Sequence, residues 1–328
     1  AFRALGLPVH EGHLDEDEWF PIYQRMADLP EDPAVVRASL DQAMRRAAAA
    51  GVVGVTDLEF ETGRLEWPRR TAAGLDLLRV RTSTYPEGLE DAIAAGVRTG
   101  DVLDGTGLVT MGPLKVITDG SLNTRTAWCC EPFVTDDDLG DPRGKRNVDP
   151  EELTALLARA HAHGLEGAVH AIGDAALLDA LDAYEASGAR GTIEHAQLVR
   201  MEALQRFADL GLVASVQPAH LLDDRDSTEA LWPDRLERCF ALRSMTQAGI
   251  PLRLGSDAPV SPLDPWLAMS AAVHRSADER EPWAPEQALT PREALDASTD
   301  GVTEIAVGGP ADVVLVDEDP CPAGLSGT

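Results

Sequence analysis

Four residues of this sequence combine metal-binding side chains with positions at the ends of apolar runs. They are Lys115 in GPLKV, His170 in GAVHAIGD, His195 in TIEHAQ and Asp257 in RLGSDAPV. Imidazole and carboxylate groups are common ligands of Zn²⁺ and related ions. Each residue alone has an ordinary explanation, such as a buried core histidine or an aspartate that caps a turn. Together, at or near the ends of successive predicted strands, they predict a site for a divalent metal ion.

Lys115 stands in the run LVTMGPLKVIT (108–118), which is typical of a buried strand. Burial favours the neutral form of a lysine and makes its amine chemically available. The alternative is a lysine whose stem packs while its ammonium group reaches water. Arginine could do the same, and the chain has only two lysines, using arginine for its other positive side chains. We therefore adopt a chemical role for this amine as the hypothesis.

Three further residues are candidates for contact with a substrate. Asp119 follows Lys115 in ITDGS, and we expect it to orient the substrate or Lys115, although an Asp-Gly turn is an alternative. Gln217 and His220 lie in SVQPAH at the end of another predicted strand, and packing is the alternative for His220. The other histidines are expected on a helix or at the surface: His10, His13, His161, His163 and His274.

The candidate ligands require a scaffold that brings distant parts of the chain to one place. Strand-like runs alternate with helical runs from about residue 40 onward, which is the pattern of a parallel sheet built from βα units. Helix signals separate the strands, among them Asp149-Pro150 and a capping box that begins at Thr290. The predicted strands span residues 51–60, 78–85, 108–118, 165–174, 190–199, 212–220 and 251–260.

Seven βα units without a GxGxxG or phosphate-loop motif favour an α/β barrel, whose catalytic groups gather where the strands end. We predict a (β/α)8 TIM barrel over residues 1–305 and expect its eighth strand to lie before Ala1. The alternating run ADVVLVDEDP (311–320) follows the last helix. We assign residues 306–328 to the C-terminal strand of a small β domain, a β-sandwich appendage whose N-terminal part is missing from the chain.

Composition speaks against several classes of partner. The 328 residues include 56 Asp plus Glu against 28 Lys plus Arg, which gives a formal charge of −28. Such a charge opposes binding to nucleic acid or to an anionic membrane surface. The sequence has no apolar stretch long enough to cross a bilayer, and its four cysteines without CxxC spacing indicate a reducing compartment. We expect a cytoplasmic protein with a small-molecule partner, and a homodimer is left open.

Longer motifs around these residues resemble the amidohydrolase superfamily, in particular its YtcJ-like branch, amidohydrolase family 3, which is related to N-substituted formamide deformylases. The matching runs are, in order, GPLKVITDGSLNTRTA, HAIGDAA, IEHAQLV, SVQPAH, LGSDAPVSPLDPW and LTPREAL. Any one motif is weak, whereas the ordered combination is specific and covers the chain from about residue 40 to 320. The resemblance implies a barrel of the metallo-dependent hydrolase type.

The resemblance also implies roles for individual residues. Lys115 matches a lysine that CO₂ can convert to a carbamate bridging two metal ions, and only a neutral primary amine can make that addition. His170 and His195 match histidines that bind the second metal. Asp257 matches an aspartate that is both a ligand and a proton acceptor. One or two divalent ions are implied, with Zn²⁺ as the default for these ligands.

One element of the family pattern is absent from this sequence. The family has an HxH pair on its first strand, where it holds the other metal, and residues 1–50 contain no replacement. We expect this pair to lie before Ala1, because the count of strands is also short by one. The alternative is that the protein has lost one metal ion.

These observations predict a metal-dependent amidohydrolase that cleaves a C–N bond, of amide or N-substituted formamide type, with a metal-activated water. Asp257 would accept the proton of the water and pass it to the leaving nitrogen. One alternative is a class I aldolase or lyase that forms a Schiff base through Lys115, which leaves the histidines without a joint role. Another is a catalytically inactive barrel that binds a small molecule, which loss of the HxH pair would favour.

Overall fold

The computed structural model describes residues 2, 5–7, 16–26, 29, 32–60, 63–135, 140–309 and 311–321. Contacts between residues divide the chain into two units, residues 1–46 and 47–328. The smaller unit holds helix α1 (Glu16–Met26) and most of helix α2 (Pro33–Ala49). The larger unit holds every strand of the described chain and all seven candidate site residues.

The strands of the larger unit form one parallel sheet in which neighbours in sequence are also neighbours in space. Every pairing in this sheet is parallel, from the first strand to the seventh. The strands are β1 Gly54–Asp57, β2 Arg79–Thr84, β3 Val109–Ile117, β4 Gly167–Ala171, β5 Gly191–His195, β6 Val213–Val216 and β7 Leu252–Leu254. Each lies inside one of the seven runs predicted from the sequence, so those predictions are confirmed.

This strand order is that of a barrel wall rather than of a doubly wound sheet. Parallel crossovers are right-handed, so a chain that always moves on to the next strand in one direction places its helices on one face of the sheet. The other face is left for side chains that fill an interior. The described chain contributes the seven strands predicted for it, and β1 and β7 each pair on one side only within it. The eighth strand, expected before Ala1, stays a prediction.

Helices connect most of the strands. Those of the larger unit are α3 Gly63–Ala72, α4 Pro86–Ala94, α5 Pro150–Ala162, α6 Asp174–Ser187, α7 Leu204–Asp209, α8 His220–Leu231, α9 Leu242–Gln247, α10 Pro265–His274 and α11 Pro291–Ala297. Helix α5 follows Asp149, and α11 begins with a capping box between Thr290 and Glu293, as the sequence predicts. Within the described ranges, no helix has both the length and the apolar character needed to span a membrane.

The main hydrophobic core lies between the sheet and these helices. Strand residues that pack into it include Leu114, Val116, Val169, Ala171 and Ile193, which meet helix residues such as Leu157 and Leu177. Successive side chains on a strand point to opposite faces. Lys115, His170 and Glu194 alternate with these core residues, so they face the interior of the wall. The packing of ordinary aliphatic residues therefore directs the polar ones inward.

The C-terminal segment differs from its prediction. The sequence predicts a strand over residues 311–320, whereas described residues 311–321 form none. Val313 and Leu315 are exposed there. An alternating apolar run needs neighbouring strands to become a stable part of a sheet, and this run pairs with no strand of the described chain. The small β domain over 306–328 and the boundary at residue 305 stay predictions.

Glu293 in the capping box gives a prediction for acid stability. Its hydrogen bonds, first with Arg243 and then with Thr290, lower the pKa of the carboxyl from 4.5 to about 2. Because the pKa is lower in the folded state, the stabilisation is complete above about pH 4.5 and is lost as the pH falls toward about 2. We expect Glu293→Gln to lower the free energy of unfolding at neutral pH, measured by urea denaturation, and this deficit to shrink in acid.

The control for this measurement is Glu237→Gln, the same change at an exposed position. It should leave both the free energy of unfolding and its pH dependence close to those of the wild type. A deficit in Glu293→Gln that stayed constant from neutral pH down to about pH 2 would contradict the assigned role of the carboxylate.

Candidate metal centre

The predicted site residues lie at the ends of consecutive βα units of the barrel wall. Lys115 lies near the end of β3, His170 near the end of β4, and His195 is the last residue of β5. His220 begins α8 after β6, and Asp257 follows β7. Because parallel strands in one sheet all end at the same edge, these five residues share the edge where barrels gather their functional groups.

His195 is at the centre of this cluster. Its ring centroid lies 4.5 Å from that of His170 and 5.9 Å from that of His220. The residue is 8% exposed, and its Nδ1 has no hydrogen-bond partner among the described residues. Burial lowers the pKa of His195 well below its usual range, and His170 and Lys115 lower it further. The ring is therefore neutral at neutral pH and keeps a lone pair for a cation.

His195, His220 and Asp257 form a group that fits a metal ion. Their donor atoms all lie within 4.8 Å of one another, and His220 Nε2 is 4.0 Å from Asp257 Oδ2. Two atoms bound to one zinc ion lie at most about 4.4 Å apart, because each bond is about 2.0 to 2.2 Å long. Only a small side-chain movement is needed to reach that limit.

The chemistry of the two imidazoles supports the same assignment. His220 Nε2, like His195 Nδ1, is buried and accepts or donates no hydrogen bond within the part of the chain that is described. A buried polar atom without a partner costs about 1 to 3 kcal/mol. A divalent cation within reach of such nitrogens would give them a partner and would balance the charge of Asp257.

The backbone takes an uncommon conformation at two of these residues. The φ angle is 70° at His195 and 54° at Asp257, both in the left-handed region. Residues other than glycine rarely occupy this region, and such residues cluster at functional sites. The left-handed turn also explains a feature of β5. His195 follows the inward-facing Glu194, and alternation alone would point it outward, but the turn redirects its ring into the cluster.

Lys115 lies inside the wall beside two carboxylates. It is 6% exposed, and burial lowers the pKa of its amine, although Glu194 and Asp257 act in the opposite direction. The neutral amine is thus more accessible than in an exposed lysine, as the sequence predicts. Glu194 was not among the predicted site residues. Its signal in the sequence is the alternation in TIEH, which turns Ile193 outward and Glu194 inward.

Asp119 lies against His170. The side chain is completely buried, and backbone N–H groups of three residues donate to it. Oδ1 accepts from Ile172 at 3.1 Å, while Oδ2 accepts from Gly173 at 2.8 Å and from Trp128 at 2.9 Å. His170 Nε2 is 3.3 Å from Oδ1. The geometry therefore places this carboxylate behind a histidine, where the sequence led us to expect an orientation toward the substrate or the lysine.

Gln217 follows β6 and is buried, with 7% of its surface exposed. Its Nε2 donates to the carbonyl oxygen of Ser215 at 3.1 Å. Its Oε1 has no hydrogen-bond partner in the described ranges. The side chain also interacts with His195, and the substrate-binding role predicted for Gln217 stays a prediction.

His220 begins a helix, whereas the sequence predicts that it ends a strand. Strand β6 stops at Val216, and the chain turns directly into α8. One helical turn later, the buried Asp224 accepts hydrogen bonds from Asn123 Nδ2 at 2.6 Å and from Gln197 Nε2 at 3.0 Å. Burial raises the pKa of Asp224 above its usual range. This network ties α8 to the loops after β3 and β5, and the sequence reasoning missed it.

The remaining histidines lie away from these residues wherever the structure describes them. His161 and His163 lie at the C-terminal end of α5, as predicted, and His163 contacts Arg159. His274 is exposed at the end of α10, as predicted. The predictions for His10 and His13 fall outside the described residues.

Comparison with known proteins agrees with this arrangement. A model of the amidohydrolase family matches residues 10–322, which is almost the whole chain. The chain belongs to the amidohydrolase family. The resemblance inferred from the motifs around Lys115, His170, His195 and Asp257 is thereby confirmed, including its YtcJ-like branch.

Two relatives show which members of the amidohydrolase family are similar. The YtcJ protein of Bacillus subtilis (strain 168) is 31% identical over 230 residues, which are 65% of this chain and 43% of that protein. The N-substituted formamide deformylase of Arthrobacter pascens is 31% identical over 196 residues, 54% of this chain and 36% of that enzyme. The chain therefore spans less than half the length of these relatives.

A solved structure supports the fold of this member of the amidohydrolase family. The crystal structure of an uncharacterized metal-dependent hydrolase from Pyrococcus horikoshii OT3 superposes with a TM-score of 0.82 at 26% identity. The match covers 97% of this chain and 68% of that protein. The overall arrangement of the chain is thus also found in a solved structure that carries the description metal-dependent hydrolase.

The three-residue group predicts the effect of removing each imidazole. We expect His195→Ala and His220→Ala each to weaken Zn²⁺ binding by about 100-fold, because loss of an orienting partner alone costs 10- to 100-fold. The measurement is a competition titration against a chromophoric chelator. The matched control is His274→Ala, which removes an exposed imidazole and should leave the affinity unchanged. Equal affinities for all three variants would show that the group does not bind the ion.

Proposed function

We propose that this protein is a metal-dependent hydrolase that cleaves the C–N bond of an amide or an N-substituted formamide with water. The observation that carries the proposal is the group of His195, His220 and Asp257, whose donor atoms lie within 4.8 Å of one another. Membership of the amidohydrolase family supports the reaction type. The relative from Arthrobacter pascens, an N-substituted formamide deformylase, supports the substrate class.

The metal would be held by His195, His220 and Asp257, with His170 and Lys115 beside them. A bound Zn²⁺ supplies a Lewis acid for the carbonyl oxygen and lowers the pKa of water from 15.7 to about 7. His195 suits the role of metal ligand, because burial and the neighbouring His170 and Lys115 lower its pKa and so favour the neutral ring. Whether one or two ions bind depends on the ligands available around Lys115.

Asp257 is the residue that we assign to proton transfer. Its side chain is 45% exposed, whereas the side chain of His220 opposite is 9% exposed. A carboxylate at this border can take a proton from water at the site and deliver it to the leaving nitrogen. Such general acid–base catalysis contributes a factor of about 10² to 10⁴ to the rate.

Gln217 is the residue that we assign to recognition of the substrate. Its buried Oε1 is an acceptor, and a secondary amide or an N-substituted formamide carries one N–H donor. A hydrogen bond between them would orient the C–N bond toward the site. A substrate that lacks this N–H would leave the buried acceptor without a partner, which costs about 1 to 3 kcal/mol.

Lys115 is the residue that we assign to carbamate formation. Its neutral amine adds to CO₂ with formation of an N–C bond and release of one proton to solvent. The product is an anion close to Glu194 and Asp257, which interact electrostatically with the lysine. Three buried or half-buried negative groups repel one another unless cations lie between them. The carbamate should therefore form only together with metal binding.

The test of the reaction is an assay for release of amine and carboxylate, or formate, from simple amides and N-substituted formamides. We expect activity that chelation abolishes and Zn²⁺ restores, and a fall in kcat of about 10² to 10⁴ in Asp257→Asn. The control is Asp223→Asn, an exposed aspartate on α8. Full activity in metal-free protein would contradict the proposal, and borohydride trapping of a carbonyl substrate on Lys115 would indicate a Schiff-base enzyme instead.

Lys115 has its own test, which uses the scarcity of lysine in the chain. Protein prepared with ¹³C-labelled bicarbonate and Zn²⁺ should show a carbamate carbon signal by NMR. We expect this signal to vanish in Lys115→Ala, along with part of the bound metal. Lys145→Ala, which changes the only other lysine, is the control and should keep both. A wild-type protein with full metal content and no such signal would refute the carbamate.

A further inference from the structure

The ring of His170 meets only hydrogen-bond acceptors at its Nε2. The carbonyl oxygen of Gly120 lies 3.2 Å from this atom, and Asp119 Oδ1 lies 3.3 Å from it. Neither oxygen can donate a proton. An imidazole nitrogen between two acceptors is stabilised only when it carries the hydrogen itself. In the neutral ring the lone pair must then be on Nδ1.

The carboxylate of Asp119 is fixed by its surroundings. Three backbone N–H groups donate to it, from Ile172, Gly173 and Trp128. Its two oxygens are not equivalent, because Oδ2 accepts two of these bonds, while Oδ1 accepts the third and faces the histidine. Rotation would break all three bonds in a site that water does not reach, since Asp119 is 0% exposed. The acceptor beside His170 is therefore permanent.

The backbone of His170 is also held in place. Its carbonyl oxygen accepts a hydrogen bond from Thr118 Oγ1 and one from the N–H of the same residue at 3.4 Å. Strand pairing aligns it with Ile117 on one side and with Glu194 on the other. The backbone of His170 and one nitrogen of its ring are therefore both held in place.

We propose that Asp119 is a positioning residue that, together with the carbonyl oxygen of Gly120, keeps a proton on Nε2 of His170 and so leaves Nδ1 as the nitrogen that can face a cation. The purpose of this arrangement rests on the proposed function. The ring centroids of His170 and His195 lie 4.5 Å apart, so a nitrogen with a fixed lone pair on His170 would serve a cation bound beside His195. Carboxylates that orient a metal-binding histidine typically change metal affinity by 10- to 100-fold when removed.

The experiment uses Asp119→Asn and records the tautomer directly. In the variant, the amide oxygen is expected at the Oδ2 position, where two N–H groups point at it. The amide NH₂ group then faces His170 and donates to Nε2, which favours the opposite tautomer. Long-range ¹H–¹⁵N spectra of metal-free protein with labelled histidine should show Nε2–H for His170 in the wild type and a shift toward Nδ1–H in the variant.

A second variant separates positioning from a purely structural role. Asp104→Asn makes the same change at a carboxylate that also accepts backbone N–H bonds, from Gly107 at 2.9 Å and from Val109 at 3.3 Å, but lies in the loop before β3, away from His170. We expect lower stability with an unchanged tautomer in Asp104→Asn, and a changed tautomer with about 10- to 100-fold weaker Zn²⁺ binding in Asp119→Asn. Assignment of the His170 signal comes from its absence in His170→Ala.

Two results would overturn the inference. One is an Nδ1–H tautomer for His170 in the metal-free wild type. This measurement does not depend on whether a variant folds. The other is a folded Asp119→Asn protein that keeps the wild-type tautomer. Failure of the proposed function would give a different result. A wild-type protein that binds no Zn²⁺ would refute the metal site, whereas the tautomer of His170 would still be decided by the NMR measurement.

Discussion

The site depends on the burial of nitrogen and oxygen atoms that the protein alone does not fully satisfy. Burial keeps His195 neutral and leaves its Nδ1 and the Nε2 of His220 without hydrogen-bond partners among the described residues. Folding has to offset this cost elsewhere, and the aliphatic packing between the sheet and the helices is the evident source. A cation bound between these atoms and Asp257 would turn an unfavourable arrangement into a favourable one.

Two buried carboxylates, Asp119 and Asp224, support other polar groups of the site. Asp119 holds His170, and the bonds that enclose Asp119 come from backbone N–H groups of two separate segments. Asp224 holds the start of α8, through Asn123 and Gln197 from two other loops. The geometry of the cluster therefore depends on connections between βα units, and a change in one loop would alter the positions of the histidine rings.

Much of this arrangement could be predicted from the sequence, for reasons that are local. Buried parallel strands are short apolar runs, so β3 was recognisable around Lys115, and a residue at the end of such a run in a barrel must face the functional edge. What the sequence could not reveal depends on contacts or backbone angles. The left-handed turn at His195, the contact of Asp119 with His170 and the helical start at His220 each require coordinates. Residues 311–320 form no strand here, because an alternating pattern does not by itself provide a partner strand.

The unequal exposure of Asp257 and His220 gives the site a direction. One side of the three-residue group opens to solvent through the half-exposed carboxylate, and the other is closed by the buried ring. Small molecules would therefore enter and leave on the β7 side, where they do not have to displace the packed histidines.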